Sequence, residues 1–139
     1  MVEINNLTKS VLKKAFLMRV AHRVLQEEHR AGEDLSMAIV GEKQMRALNK
    51  ISRGKNRVTN VLSFPDGDVG LGEVVLCPAA IRKDAKRYGI LFEKELARVL
   101  IHGILHLLGY EHEKNPQSST RMFAKETYYV DLLGFPDFH

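Results

Sequence analysis

VLIHGILHLLGYEH, residues 99–112, carries two kinds of spacing at once. From Val99 to Leu108 every residue is apolar except His102, Gly103 and His106. Such a run reads as a helix buried nearly all round, around which the other elements must be layered. His102 and His106 lie four apart, so a helix projects both imidazoles from one face, one turn above the other. Gly109 follows three residues later, where a left-handed cap commonly ends a helix. The chain then doubles back and brings His112 towards the same point. Two imidazoles in an apolar setting cost free energy unless something partners them, and a metal ion is such a partner. Three histidines with an open fourth position describe a catalytic zinc site better than a structural one. The alternative, a pair of packed core histidines, gives no reason for a third at this offset.

The spacing matches the long zincin signature H-E-x-x-H-x-x-G-x-x-H, except that Gly103 stands in place of the glutamate. In helix-borne zinc peptidases that glutamate takes the proton of the attacking water. Gly103 has no group to do so. Zinc held by neutral imidazoles lowers the pKa of a bound water to about 7 and polarises carbonyl or phosphoryl oxygens, so both hydrolytic classes stay open. Asp66, Asp68, Glu73 and Glu111 are the candidate replacement bases, and the sequence does not choose among them.

Outward from this helix, the periodicities alternate. Val2–Asn5 and Leu35–Val40 read as strands. Between them Leu12, Phe16, Val20 and Val24 recur every four residues behind a cap at Thr8 or Ser10, and Ala31 to Asp34 end that helix. A second helix spans Glu42–Arg53, with Met45, Leu48 and Ile51 inward. Val58–Phe64 and Gly72–Cys77 read as a strand pair around the Pro65–Gly70 turns. Pro78 opens a helix that Gly89 closes, and the histidine helix follows. Ser118 or Ser119 caps a last helix with Met122, Phe123, Glu126, Tyr129 and Leu133 on one side. The order predicts a mixed α/β (α+β) fold, with a sheet of about four strands covered by five or so helices and the metal site on a buried helix.

The 139 residues suit a single domain, 1–139. Cys77 is the only cysteine, which excludes an intramolecular disulfide and suits a reducing compartment. MVEINN lacks the apolar core of a signal peptide, and no apolar run is long enough to cross a bilayer. A cytoplasmic location is the expectation. Cys77 itself, at the end of an apolar strand, reads as buried and inert.

The net charge is +4 with a pI near 9.3. Its distribution says more than its total. Lys43, Arg46, Lys50 and Arg53 recur at intervals of three and four on one helix face, and Lys55 and Arg57 extend the run. Such a run is commonly a solvated surface, but beside a metal site it offers a track for a polyanion. Arg53 ends the helix just before a turn and a strand, from where a guanidinium reaches a cleft and suits bidentate phosphate contact.

Three stretches resemble the YbeY-type rRNA maturation factors, which are single-strand-specific metallo-endoribonucleases. HGILHLLGYEH at 102–112 is similar to the family's H-G-x-L-H-L-x-G-Y-D-H signature. SRGKNRVTNVLSFP at 52–65 resembles R-x-x-x-x-x-T-D-V-L-S-F-P, and LGEVVLC at 71–77 resembles L-G-D-I-x-I. The resemblance implies zinc ligands at His102, His106 and His112, and a functional arginine at Arg53. It implies action on ribosomal RNA, notably near the 3′ end of the small-subunit RNA, and in ribosome quality control. The implied partners are single-stranded RNA and the ribosome, with no membrane and no DNA. Lys43, Arg46, Lys50, Lys55 and Arg57 are then the RNA-guiding residues. Ser52 stands where an aromatic often precedes the arginine, Asn60 where Asp is usual, and Glu111 where the signature has Asp. The rivals are a zincin-like peptidase, against which Gly103 and the basic stripe argue, and a ribosome-assembly factor with a structural zinc.

Overall fold

Among the residues described, 1–66, 70–111 and 115–135, the computed structural model places four strands and five helices. In chain order they are β1 (Val2–Asn6), α1 (Lys14–Glu27), β2 (Leu35–Ile39), α2 (Glu42–Arg53), β3 (Val61–Pro65), β4 (Gly72–Leu76), α3 (Pro78–Tyr88), α4 (Phe92–Leu107) and α5 (Pro116–Leu133). That is the order the periodicities predict. The strands form one sheet in the order β1-β2-β4-β3. β1, β2 and β4 run parallel, and β3 pairs antiparallel with β4 at the edge.

Side chains alternate across a strand, and here the alternation sorts the protein into two layers. Met37 and Ile39 of β2 and Val74 and Leu76 of β4 face the larger core, with α1, α3, α4 and α5. Ala38, Val75 and Cys77 face the other way, onto Met45 and Leu48 of α2. In β3, Leu62 belongs to the α2 side, whereas Val61 packs on the α4 side. Cys77 is fully buried, and desolvation pushes its thiol upward, as the inert reading expects.

Helix α4 lies close on the sheet at Gly103. A Cβ built there would stand 2.8 Å from Val74 Cγ1 and 3.1 Å from Val61 Cγ2. Ser63 Oγ, from the same strand face, donates a 2.9 Å hydrogen bond to the Gly103 carbonyl. Position 103 therefore faces the sheet, and no glutamate fits there. The missing zincin base has a packing cause.

Several boundaries differ from the sequence reading, each for a local reason. α1 starts at Lys14, because Thr8 and Ser10 are used in a turn: the Thr8 N–H and hydroxyl both donate to Asn6 Oδ1, and the Ser10 N–H donates to Thr8 Oγ1. β3 starts at Val61, with the Asn60 carbonyl still accepting from the Cys77 N–H at 3.0 Å beyond the last pair. Asn115, not Ser118 or Ser119, caps α5, its Oδ1 accepting from the Ser118 N–H at 2.8 Å with Pro116 in the first turn. Ile51 is 84% exposed and Phe123 is 70% exposed, so neither belongs to an inward stripe. On α2, Ile51 falls well away from the Met45–Leu48–Asn49 side, and the buried asparagine completes the inner face.

The end of α4 is as expected. Gly109 has φ 102°, the Gly109 N–H bonds the His106 carbonyl, and the Tyr110 N–H bonds that of Leu105. These two bonds make a Schellman cap, a turn that favours glycine. Tyr110 is then held by Glu28, just past the end of α1. That carboxylate accepts from Tyr110 Oη at 2.8 Å, Lys125 Nζ at 3.0 Å and Tyr129 Oη, joining α1, the turn after α4 and α5. Burial opposes ionisation of Glu28 most strongly, but hydrogen bonds from Tyr129, Tyr110 and Lys125 together outweigh it and leave the carboxyl below its usual range. Burial and the bond to Glu28 push the Tyr110 and Tyr129 phenols up.

Two outcomes follow from this packing. Gly103→Ala should lower the melting temperature: overpacking costs roughly 1–3 kcal/mol against a helix-propensity gain of about 1. A higher melting temperature would contradict the close approach. Glu28→Gln should cost about 1.5–3 kcal/mol at neutral pH, the scale of hydrogen bonds to a charged group. Because the folded carboxyl is depressed, its contribution is complete above the unfolded value of about 4.3 and is lost as pH falls through the folded value. Denaturant titrations should show the two proteins converging in acid.

Candidate active site

Along α4, Glu95, Arg98, His102 and His106 succeed one another at intervals of three, four and four, which places all four on one stripe of the helix. The other sides, from Leu96 to Leu105, are packed into the core. The helix is thus buried over most of its surface, as expected, and opens at His102 and His106. The His102 side chain is 23% exposed, and His106, in the last turn, is exposed.

Behind His102 stands a chain of charges. Glu126 of α5 is buried, and its Oε2 meets His102 Nδ1 at 2.8 Å. Its Oε1 accepts from Arg98 Nη1 at 3.3 Å. Arg98 also gives Nε and Nη2 to the two oxygens of buried Glu95, at 2.7 and 2.9 Å. The Glu95 hydrogen bonds hold the guanidinium above its usual range. Each such ion loses several kcal/mol of hydration when buried, so they persist only as a paired set. One guanidinium between two carboxylates leaves a formal negative charge behind His102, which favours a cation on the imidazole's other side.

This arrangement is the test of whether the chain suits a metal. A ligating imidazole gives its second ring nitrogen to a carboxylate, and Glu126 supplies that carboxylate to His102. His102 and His106 line one cleft of about 820 Å³. His112, the third expected ligand, lies outside the described residues. Among those described, no three His, Cys, Asp or Glu side chains converge as a metal group. The donors present, two imidazoles backed by a carboxylate, are of the type that zinc takes.

The same cleft is lined by Ser52 and Arg53 from the end of α2, by Val61 and Ser63 from β3, and by Glu111. Arg53 is exposed in the last turn of α2, which Gly54 closes. Asn49, buried one turn back, donates to the Arg57 carbonyl at 3.0 Å and pins the following loop. Fold and sequence thus bring Arg53, His102 and His106 together. Lys43, Arg46, Lys50, Lys55 and Arg57 are all exposed, but none of them lines the cleft. Among the candidate bases, Glu111 reaches the cleft, Glu73 accepts from Ser36 Oγ at 3.2 Å in the sheet, and Asp66 is exposed at the end of β3. Asp68 lies outside the described residues.

Glu95, Arg98 and Glu126 escaped the sequence reading as site residues. Two signals pointed to them. Glu95 and Arg98 continue the 102–106 stripe backwards, and Glu126 is a lone carboxylate among the apolar positions of the last helix. A carboxylate in such a place requires a partner.

The family model for Endoribonuclease YbeY matches residues 3–134. The chain is 41% identical over 112 residues to the Endoribonuclease YbeY of Bdellovibrio bacteriovorus, covering 80% of this chain and 74% of that one. It is 35% identical over 132 residues to that of a Sulfurihydrogenibium species, covering 91% and 86%. The match to the Thermotoga neapolitana relative, 41% identical, takes in 69% of this chain and 64% of that one. Among solved structures, the solution structure of TM1509 from Thermotoga maritima superposes with a TM-score of 0.69 at 34% identity, covering 94% of this chain and 87% of that one. The chain belongs to the YbeY endoribonuclease family.

Proposed function

We propose that this protein is a zinc-dependent, single-strand-specific endoribonuclease acting in ribosomal RNA processing, at the 3′ end of the small-subunit RNA, and in ribosome quality control. The observation that carries the reading is one cleft lined by Arg53, His102 and His106, with Glu126 behind His102. His102, His106 and His112 would hold the metal, with residues 1–139 acting as one catalytic domain. Zinc bound there supplies Lewis acidity and an acidified water at neutral pH.

The chain's own residues divide the remaining work. Arg53 binds a phosphate and offsets charge developing on its oxygens. Glu111 is the proton acceptor in this reading, as the candidate carboxylate that lines the cleft among the described residues. Glu126 orients His102. Lys43, Arg46, Lys50, Lys55 and Arg57 lie outside the cleft and guide the RNA backbone towards it by charge. A peptidase reading loses support, because Gly103 packs on the sheet where the zincin glutamate would have to stand. No described helix is long and apolar enough to cross a membrane. A ribosomal RNA substrate and the single Cys77 favour the cytoplasm.

Arg53→Ala should lower cleavage of a single-stranded ribosomal RNA fragment by about 10²-fold, the scale for one charge-stabilising donor. Its zinc content, read by elemental analysis, should match the parent. Loss of zinc in that variant would assign Arg53 a structural role. Glu126→Gln should bind zinc about 10–100-fold more weakly in competition with a chelator. Unchanged zinc affinity would remove Glu126 from the metal site.

A further inference from the structure

The positive charge of this chain is concentrated in two helices and one loop. Ten of its 21 Lys and Arg residues fall within 42–57 and 78–88, against two of its 17 acids, Glu42 and Asp84. The rest of the chain is therefore net acidic. Both of those acids are already engaged. Glu42 at the start of α2 receives Lys83 Nζ of α3 at 2.8 Å, and Asp84 accepts from Asn60 Nδ2 at 3.2 Å.

These contacts place α3 beside the cleft. Asn60 lines the cleft and binds Asp84, while Lys83, one residue earlier, ties α3 to α2. α3 buries Ile81 and Ala85, which turns Arg82, Lys83, Lys86 and Arg87 outward, all of them exposed. Arg82 lies over the Phe92 ring at 4.3 Å, and Lys83 is held by Glu42. Lys86 and Arg87 complete the outward face. Tyr88, the exposed aromatic of α3, points from its other flank, so no stacking platform interrupts the charges. Single strands are held by charge interleaved with aromatic rings, whereas charge alone grips a phosphate backbone.

We infer that the outward face of α3, centred on Lys86 and Arg87, is a docking surface for the backbone of a base-paired RNA segment flanking the single strand in the cleft. This rests on the RNA-cleaving reading of the cleft and deepens it. A single-stranded segment enters the cleft while the adjoining helix lies against α3. Recognition there is independent of sequence and sensitive to salt.

The test compares two RNAs on the full-length protein: a short single strand that fills only the cleft, and the same strand joined to a hairpin. Affinities are followed by fluorescence anisotropy across salt concentrations. For the hairpin RNA, Lys86→Gln with Arg87→Gln should flatten the slope of log affinity against log salt by about 1.8, the loss of two duplex phosphate contacts. The short strand should bind this variant as it binds the parent. Exchanging the two cations, Lys86→Arg with Arg87→Lys, should keep the parental slope. An unchanged slope for the hairpin RNA, or equal losses for both RNAs, overturns the docking surface. Failure of the parent to bind either RNA overturns the RNA-cleaving reading and the surface with it.

Discussion

A contact with no side chain holds this structure in its working form. α4 can lie on β3 and β4 because position 103 ends at the Cα atom, within reach of Val74, Val61 and Ser63. Close-packed interiors do not absorb an added methyl at such a spot without displacing stiff β-branched neighbours. The Ser63 hydroxyl fixes the same approach by bonding the Gly103 carbonyl. With that face on the sheet, the stripe of Glu95, Arg98, His102 and His106 is left at the rim, and β3 becomes part of the cleft.

The second constraint is electrostatic. Glu95 and Glu126 are nearly inaccessible to water, an arrangement that apolar packing would not produce. Buried ion networks are often no more stable than the hydrophobic side chains that could replace them. Their presence beside His102 is better explained by orientation and charge: Arg98 fixes Glu126, Glu126 fixes the imidazole, and the surplus negative charge favours a cation. Stability is gathered elsewhere, in the apolar core under α4 and in the Glu28 cluster that ties the turn after Gly109 to α1 and α5.

Much of this was legible in the sequence because it depends on local periodicity. The 102–106 spacing, the Gly109 cap, the Pro78–Gly89 helix and the order of strands and helices all follow from rules acting over a few residues. What escaped depends on partners distant in sequence. Ile51 occupies an apolar position yet is exposed, because buried Asn49 takes the inner side of α2 to hold the Arg57 carbonyl. Thr8 and Ser10 have the side chains of helix caps, but Asn6 recruits Thr8 into a turn first. Glu126 meets His102 across 24 residues, a pairing that no helical spacing announces. The basic run 43–57 was visible as charge, but only the fold separates Arg53, which lines the cleft, from the five cations that do not.

The central question is whether the α4 histidines bind the metal on which RNA cleavage depends. His106 is exposed at the end of α4, so His106→Ala removes a proposed ligand without opening the core. Zinc content and cleavage of ribosomal RNA should be measured side by side on this variant and the parent, purified identically. Both should be lost together while the melting transition of the metal-stripped forms is unchanged. Cleavage at the parental rate by a zinc-free variant would contradict that dependence.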